Sequence, residues 1–205
     1  DTIITPKTFK GYLGHNHIKF DGYMENTYLH PKYFKPDKNI LKKLNLSYKE
    51  RYVILRLISW DASHDVGQKG FKIDILLKLI AEIKNHARVF ISAENKIPKI
   101  LKKYQLSINP TDIHDVLSFA ELFIGEGATM ASECAIMGTP SIYINSLSAG
   151  TLEDQEQKGI LYMYKSSNGL IEKTREILTN PKAKEEAKQK SEDLFKNKID
   201  INSFF

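Results

Sequence analysis

The residues best suited to chemistry lie in one stretch, LFIGEGATMASECAIMGTPSIYI, residues 122–144. An apolar run (residues 122–124) leads into Gly125, Glu126, Gly127, Ala128 and Thr129, and a helix is expected over residues 130–137. In a strand–glycine loop–helix unit, the loop and the helix start direct free backbone N–H groups at one spot, where an anion can sit. Gly125 and Gly127 would let the backbone approach a diphosphate with no Cβ in the way. Thr129 would cap the helix or bond a phosphate oxygen. Glu133, one turn in, points back towards the helix start and could hold both hydroxyls of a ribose. Its other reading is a helix-favouring glutamate near the positive end of the macrodipole. Glu126 beside a diphosphate would repel it unless it faces away or meets a cation; alternatively, it could bond sugar hydroxyls. The ligand class is phosphorylated, and the spacing suggests a nucleotide.

A second group follows the apolar run YVILRL (residues 52–57) in the loop SWDASHDVGQKG, residues 59–70. Arg56 could neutralise phosphate through its planar fork. Trp60 would line the same place, and His64 with Asp65 could act as proton donor or general acid. The alternatives are that Arg56 pairs with an acid of the core and that Trp60 plugs a crevice. An earlier loop, residues 22–31, carries Glu25, Tyr28 and His30; its aromatics are expected to pack the loop down.

The elements that must position these residues alternate. Short strands are expected at residues 1–6, 17–20, 52–57, 89–91, 122–124, 142–144 and 161–164. Helices are expected over residues 37–45, 73–83 (apolar at Ile73, Leu76, Leu77, Ile80 and Ile83), 97–104 with Pro98 in the first turn, 112–119, 130–137 and 170–178, with a short one after Gly150. A final helix from Pro181 is mostly polar; Ala183, Ala187, Leu194 and Phe195 are its only packing candidates, so it is expected to lie across a surface. Strands alternating with helices, without hairpin signals, imply right-handed crossovers and a parallel sheet covered on both faces. The expected fold is α/β, a doubly wound Rossmann-like domain, and ligands in such sheets bind beyond the carboxyl ends of the strands.

The totals exclude little but do narrow the field. The 205 residues suffice for a full core. The charge of +5 arises from dispersed lysines rather than a block, and no recognition-helix or zinc spacing accompanies it, so nucleic acid is not an expected partner. No apolar stretch reaches membrane-spanning length and no leader is visible, which suggests a cytoplasmic protein. Peripheral membrane association and a homodimer both remain compatible with this surface. The single Cys134 excludes an intrachain disulfide and reads as a small core residue. There is no D-x-D motif, and neither a metal nor a cofactor is expected. The opening residues DTIITP read as a buried strand, as though the chain were cut from something longer.

A family resemblance follows from these motifs. Glu133, Gly138 and Pro140 form E-x4-G-x-P after a glycine loop, a pattern shared by nucleotide-sugar enzymes of the two-domain GT-B fold. Gly127-Ala128 with Ser132-Glu133 resembles the peptidoglycan N-acetylglucosaminyltransferase motif, with Thr129 displaced by one position. The run from Asp115 through Ala120 to Glu133 and Pro140 is similar to UDP-N-acetylglucosamine 2-epimerase. GEGATM and the string R-x3-W-x-A-x-H-D-x-G at residues 56–67 resemble an uncharacterised prokaryotic family related to these enzymes. The resemblance covers residues 1–178. It implies the C-terminal, nucleotide-binding half of a GT-B protein, with residues 1–20 linking from an absent N-terminal domain, a Rossmann-like domain over residues 21–180 and a surface helix over residues 181–205. It further implies phosphate or sugar at residues 125–129, ribose on Glu133, the base against the backbone near Ile113, and a UDP-sugar as substrate. The implied role is glycosyl transfer in surface glycan assembly, with 2-epimerisation or non-catalytic nucleotide binding as the alternatives. The epimerase's main carboxylates belong to its N-terminal domain, so this chain alone would bind donor without turning it over.

Overall fold

A computed structural model describes residues 1–58, 71–196 and 199–204. The chain opens with β1 (Ile3–Pro6) and β2 (His17–Phe20), which pair in parallel as a separate two-stranded sheet. Two single-turn helices follow, α1 (Asn26–Leu29) and α2 (Ile40–Lys43). The main domain then runs β3 (Tyr52–Leu57), α3 (Ile73–Lys84) and β4 (Arg88–Ala93). After two 3-10 turns, Lys99–Tyr104 and Pro110–Asp112, come α4 (Ile113–Phe119), β5 (Leu122–Gly125), α5 (Ala128–Ile136) and β6 (Ser141–Ile144). It continues with α6 (Gly150–Gln157), β7 (Tyr162–Tyr164), α7 (Leu170–Thr179), α8 (Ala183–Lys196) and α9 (Ile201–Phe204).

β3 to β7 form one parallel sheet in the order β4-β3-β5-β6-β7. The alternation of side chains along each strand divides the core in two. Tyr52, Ile54, Phe123 and Tyr143 face α4 and α5, whereas Val53, Leu55, Leu122, Ile124, Ile142 and Ile144 face α3 and α7. Ile54, Val53, Phe123 and Ile124 are wholly buried, each worth about 1.5–3 kcal/mol relative to an exposed side chain. This is the doubly wound α/β domain expected from the sequence. Cys134 is buried inside the α5 face, and burial pushes its thiol well above the ordinary range.

Three expectations need correction. The opening residues, expected as a buried strand, form β1 with Ile3 41% exposed and the rest half-buried, because β1 pairs with β2 alone among the described strands and lies outside the main sheet. The helix expected over residues 97–104 is a 3-10 segment with Pro98 just outside it; only Leu101 of that segment is buried, so little packing favours a wider α-turn. The last helix is docked more firmly than its four apolar candidates suggest. Lys184 buries its ammonium beneath α8 and donates to the carbonyls of Ser118 and Ala120 and to Thr139 Oγ1. It thereby satisfies carbonyls left open where α4 ends. Ser191 donates to the Ile136 carbonyl from the same face.

Candidate functional site

Chain direction across the sheet reverses between β3 and β5: β4 lies on one side of β3 and every later strand on the other. At such a switch point the loops leaving the two strands diverge and open a crevice beyond their carboxyl ends. Residues 125–129 leave β5 there, and residues 58 onward leave β3. Leu57, Ile58, Phe71, Ile97 and Glu126 line a depression of about 200 Å³ at this edge.

The glycine loop behaves in part as expected. α5 starts at Ala128 with Gly127 before it, a residue with no side chain to cap the first-turn N–H groups, and these lie at the edge of the sheet. Thr129 is exposed and Ala128 half-buried. Gly125 is required by internal packing: an added Cβ would lie 2.6 Å from Phe123 Cζ and 2.7 Å from Arg56 Cβ. At Gly127 a Cβ would meet Ile58 Cγ2 at 3.3 Å, which leaves that residue nearer the open side.

Glu126 is turned inwards and is only 4% exposed. Its carboxylate accepts the backbone N–H of Phe71 (2.7 Å) and of Ile58 (3.2 Å), tying together the two chain ends that flank residues 59–70. Its carbonyl accepts from Asn145 Nδ2 (3.1 Å), whose Oδ1 in turn accepts the N–H of Leu147. The charge that would have repelled a diphosphate is therefore directed to main-chain donors.

Arg56 donates to Ser92 Oγ on β4 (2.8 Å) and to Glu94 Oε1 just beyond it (2.7 Å). Its acid partner thus sits beyond the strand end, not in the core. Trp60, His64 and Asp65 lie outside the described residues.

Glu133 gathers the remainder of the site. The side chain is one-tenth exposed, and its Oε1 accepts the hydroxyl of Tyr28 (2.9 Å) and lies 3.1 Å from His114 Nε2. His114 is the second residue of α4, beside Ile113, and that helix begins at the same edge of the sheet as α5. Tyr28 and Phe34 flank the imidazole, with ring centroids at 5.6 and 6.0 Å. Burial and the charge of Glu133 push the Tyr28 hydroxyl well above its usual range. Glu25, one turn before Tyr28, is raised by burial and by the charge of Glu133, against the opposing bond to Ser132. Ser132 also receives Gln155 Nε2 at 2.7 Å.

The structure therefore brings Ile113, Ala128, Thr129 and Glu133 to one edge. It adds Tyr28 and His114, which the sequence alone did not single out. The adjacency of His114 to Ile113 was the available signal; Tyr28 lies 105 residues from its partner, and nothing local marks it. Among the described residues, no group of three His, Cys, Asp or Glu side chains is arranged to hold a metal ion. Among the same residues, no helix is long and apolar enough to cross a membrane.

Comparison with solved structures finds a similar fold in glycosyltransferases. The chain is similar to the wall teichoic acid polymerase TagF (TM-score 0.55, 14% identity, 96% of this chain and 53% of that one). It is also similar to the glycosyltransferase VinC, solved in complex with DTDP (TM-score 0.53, 15% identity, 79% and 42% of the two chains). At these identities the likeness establishes the fold alone. An uncharacterized protein of Methanocaldococcus jannaschii is 28% identical over 193 residues, covering 88% of this chain and 51% of its own length. The chain thus spans about half the length of the curated relative it matches. The family described as "Protein of unknown function (DUF354)" matches residues 2–201, and the chain belongs to it.

Proposed function

We propose that this chain is the half of a GT-B glycosyltransferase-like enzyme that binds a nucleotide-diphosphate sugar, UDP-linked, for surface glycan assembly. The observation that carries the reading is Glu133. Its buried carboxylate stands between the starts of α4 and α5, beside the crevice where the strand order reverses. One oxygen is spent on Tyr28 and His114, which leaves the other to accept ribose hydroxyls. The first turn of α5, with Thr129, would take the diphosphate by N–H donation and the helix dipole, and the start of α4 at Ile113 would take the base. Charge developing on the departing diphosphate would meet these preoriented donors, which need no rearrangement as the sugar leaves. That VinC was solved with DTDP supports a nucleotide on this fold.

The donor's partner surface would come from a second domain, the absent N-terminal half. β1 and β2 form an isolated parallel pair, and a two-stranded sheet is marginal without further support. Ile3 and Ile18 on these strands, with Tyr12 and Leu13 in the connection, are exposed, as expected of a sheet margin covered by such a domain.

Calorimetric titration of the full-length protein with UDP and UDP-N-acetylglucosamine tests the reading. Saturable binding is expected, weakened about 10- to 100-fold by Glu133→Gln, the range for losing bonds to a charged acceptor. Absence of binding to UDP, its sugars and dTDP would overturn it. A second reading, 2-epimerisation of the same donor, is favoured by Glu25, a buried carboxyl that keeps its proton to higher pH than an exposed glutamate. Formation of the manno epimer without any acceptor would select it.

A further inference from the structure

A second cavity lies at the opposite edge of the sheet from the crevice, where α4 and α5 end and β5 and β6 begin. It measures about 520 Å³, within the range of small-molecule sites, and is roofed by α8. Phe34, Phe119, Met137 and Phe195 are among its lining residues, and the lining also includes the exposed Lys35 and Lys188.

The polar groups in the wall are already spent. Lys184 serves three protein oxygens, Ser118 donates its hydroxyl to Met137 Sδ (3.0 Å), and Ser191 donates to the Ile136 carbonyl. An occupant of the interior would find hydrocarbon contact and few hydrogen-bond partners, so a polar ligand such as a sugar or nucleotide would lose hydration without recompense. The two exposed lysines differ. Lys188 is shared with Glu192 at 3.8 Å, while Lys35, exposed in the loop beside the cavity, makes no ion pair among the described residues. An apolar interior with an uncommitted cation at its edge is complementary to one kind of molecule.

We propose that this cavity binds a free long-chain acyl anion, with the chain between α8 and the ends of α4 and α5 and the carboxylate at Lys35. The site is independent of the nucleotide reading, since none of the residues proposed for the donor lines it.

The test is calorimetric titration of the full chain with dodecanoate below its micelle concentration, alongside dodecyltrimethylammonium and vesicles of phosphatidylglycerol. One-to-one binding of dodecanoate is expected, with the cationic amphiphile at least about tenfold weaker. Lys35→Glu should weaken dodecanoate about tenfold by replacing attraction with repulsion at the cavity's edge. Phe195→Glu should abolish binding by placing a charge in the wall, and Lys35→Glu guards against its unfolding, since Lys35 is exposed and its replacement should leave the melting temperature unchanged. Three results would overturn the proposal: no saturable binding, equal affinity for the two amphiphiles, or a folded Lys35→Glu variant that binds as the parent does. Binding to the vesicles without binding to dodecanoate would also overturn it, in favour of a membrane-surface contact.

Discussion

Replacing Glu126 with alanine tests whether this residue clasps Ile58 and Phe71 together at the crevice. The carboxylate accepts two main-chain N–H groups, at 2.7 Å from Phe71 and 3.2 Å from Ile58, and the residue is 4% exposed. Hydrogen bonds to a charged group contribute about 1.5–3 kcal/mol each, with the shorter bond towards the upper end, so the pair is worth about 4 kcal/mol. Water admitted to the vacated space would rescue part of this, which leaves an expected loss of about 3 kcal/mol for Glu126→Ala. Glu126→Gln keeps one acceptor oxygen and should lose about half as much. Urea denaturation measures the loss as a fall in midpoint at constant slope. Hydrogen exchange should separately show faster exchange at the Ile58 and Phe71 amides while amides of β5 keep their relative order of protection. A loss below about 0.5 kcal/mol, in the range of an ordinary surface change, would refute the clasp, as would unaltered exchange at both amides.

Three further outcomes are expected. Burial holds the Lys184 ammonium down to about 8, against 10.5 for a free lysine. Between those values the unfolded chain carries the extra proton, so this group's contribution makes stability rise with pH across the window, by about 3 kcal/mol in all; urea midpoints of Lys184→Met subtracted from those of the parent should trace that rise, and parallel profiles would refute it. Gly138 has φ +74° and an added Cβ would sit 2.7 Å from Lys188 Cα, so Gly138→Ala should cost about 2 kcal/mol or more by thermal denaturation. Tyr28→Phe removes one donor to Glu133 and should weaken UDP about threefold, with the fold destabilised by no more than about 1 kcal/mol.

The elements were legible where periodicity was strong. YVILRL suited a central strand, and the stripe of Leu76, Ile80 and Ile83 marked α3. The crevice was legible too, since a glycine loop after a buried strand locates the sheet's carboxyl edge. What the sequence concealed were side chains whose partners are distant along the chain. Glu126 read as a ligand group because nothing nearby reveals that its acceptors serve Ile58 and Phe71. Lys184 read as one more surface lysine of a polar helix because its partners, Ser118, Ala120 and Thr139, belong to other elements. Gly125 was read for ligand approach, and nothing in the sequence shows that Arg56 and Phe123 crowd its Cβ position as well. In each case the residue type announced a capacity, and tertiary packing chose the use.

The lone sulfhydryl of Cys134, sealed within α5, has a practical consequence. Alkylating reagents attack thiolates, and here the anion is suppressed and sterically shielded, so modification requires the surrounding helices to part. With one such group per chain, every adduct counts one excursion from the native state. Pulsed alkylation read by mass spectrometry would therefore follow how often the heart of this domain breathes, without any engineered label.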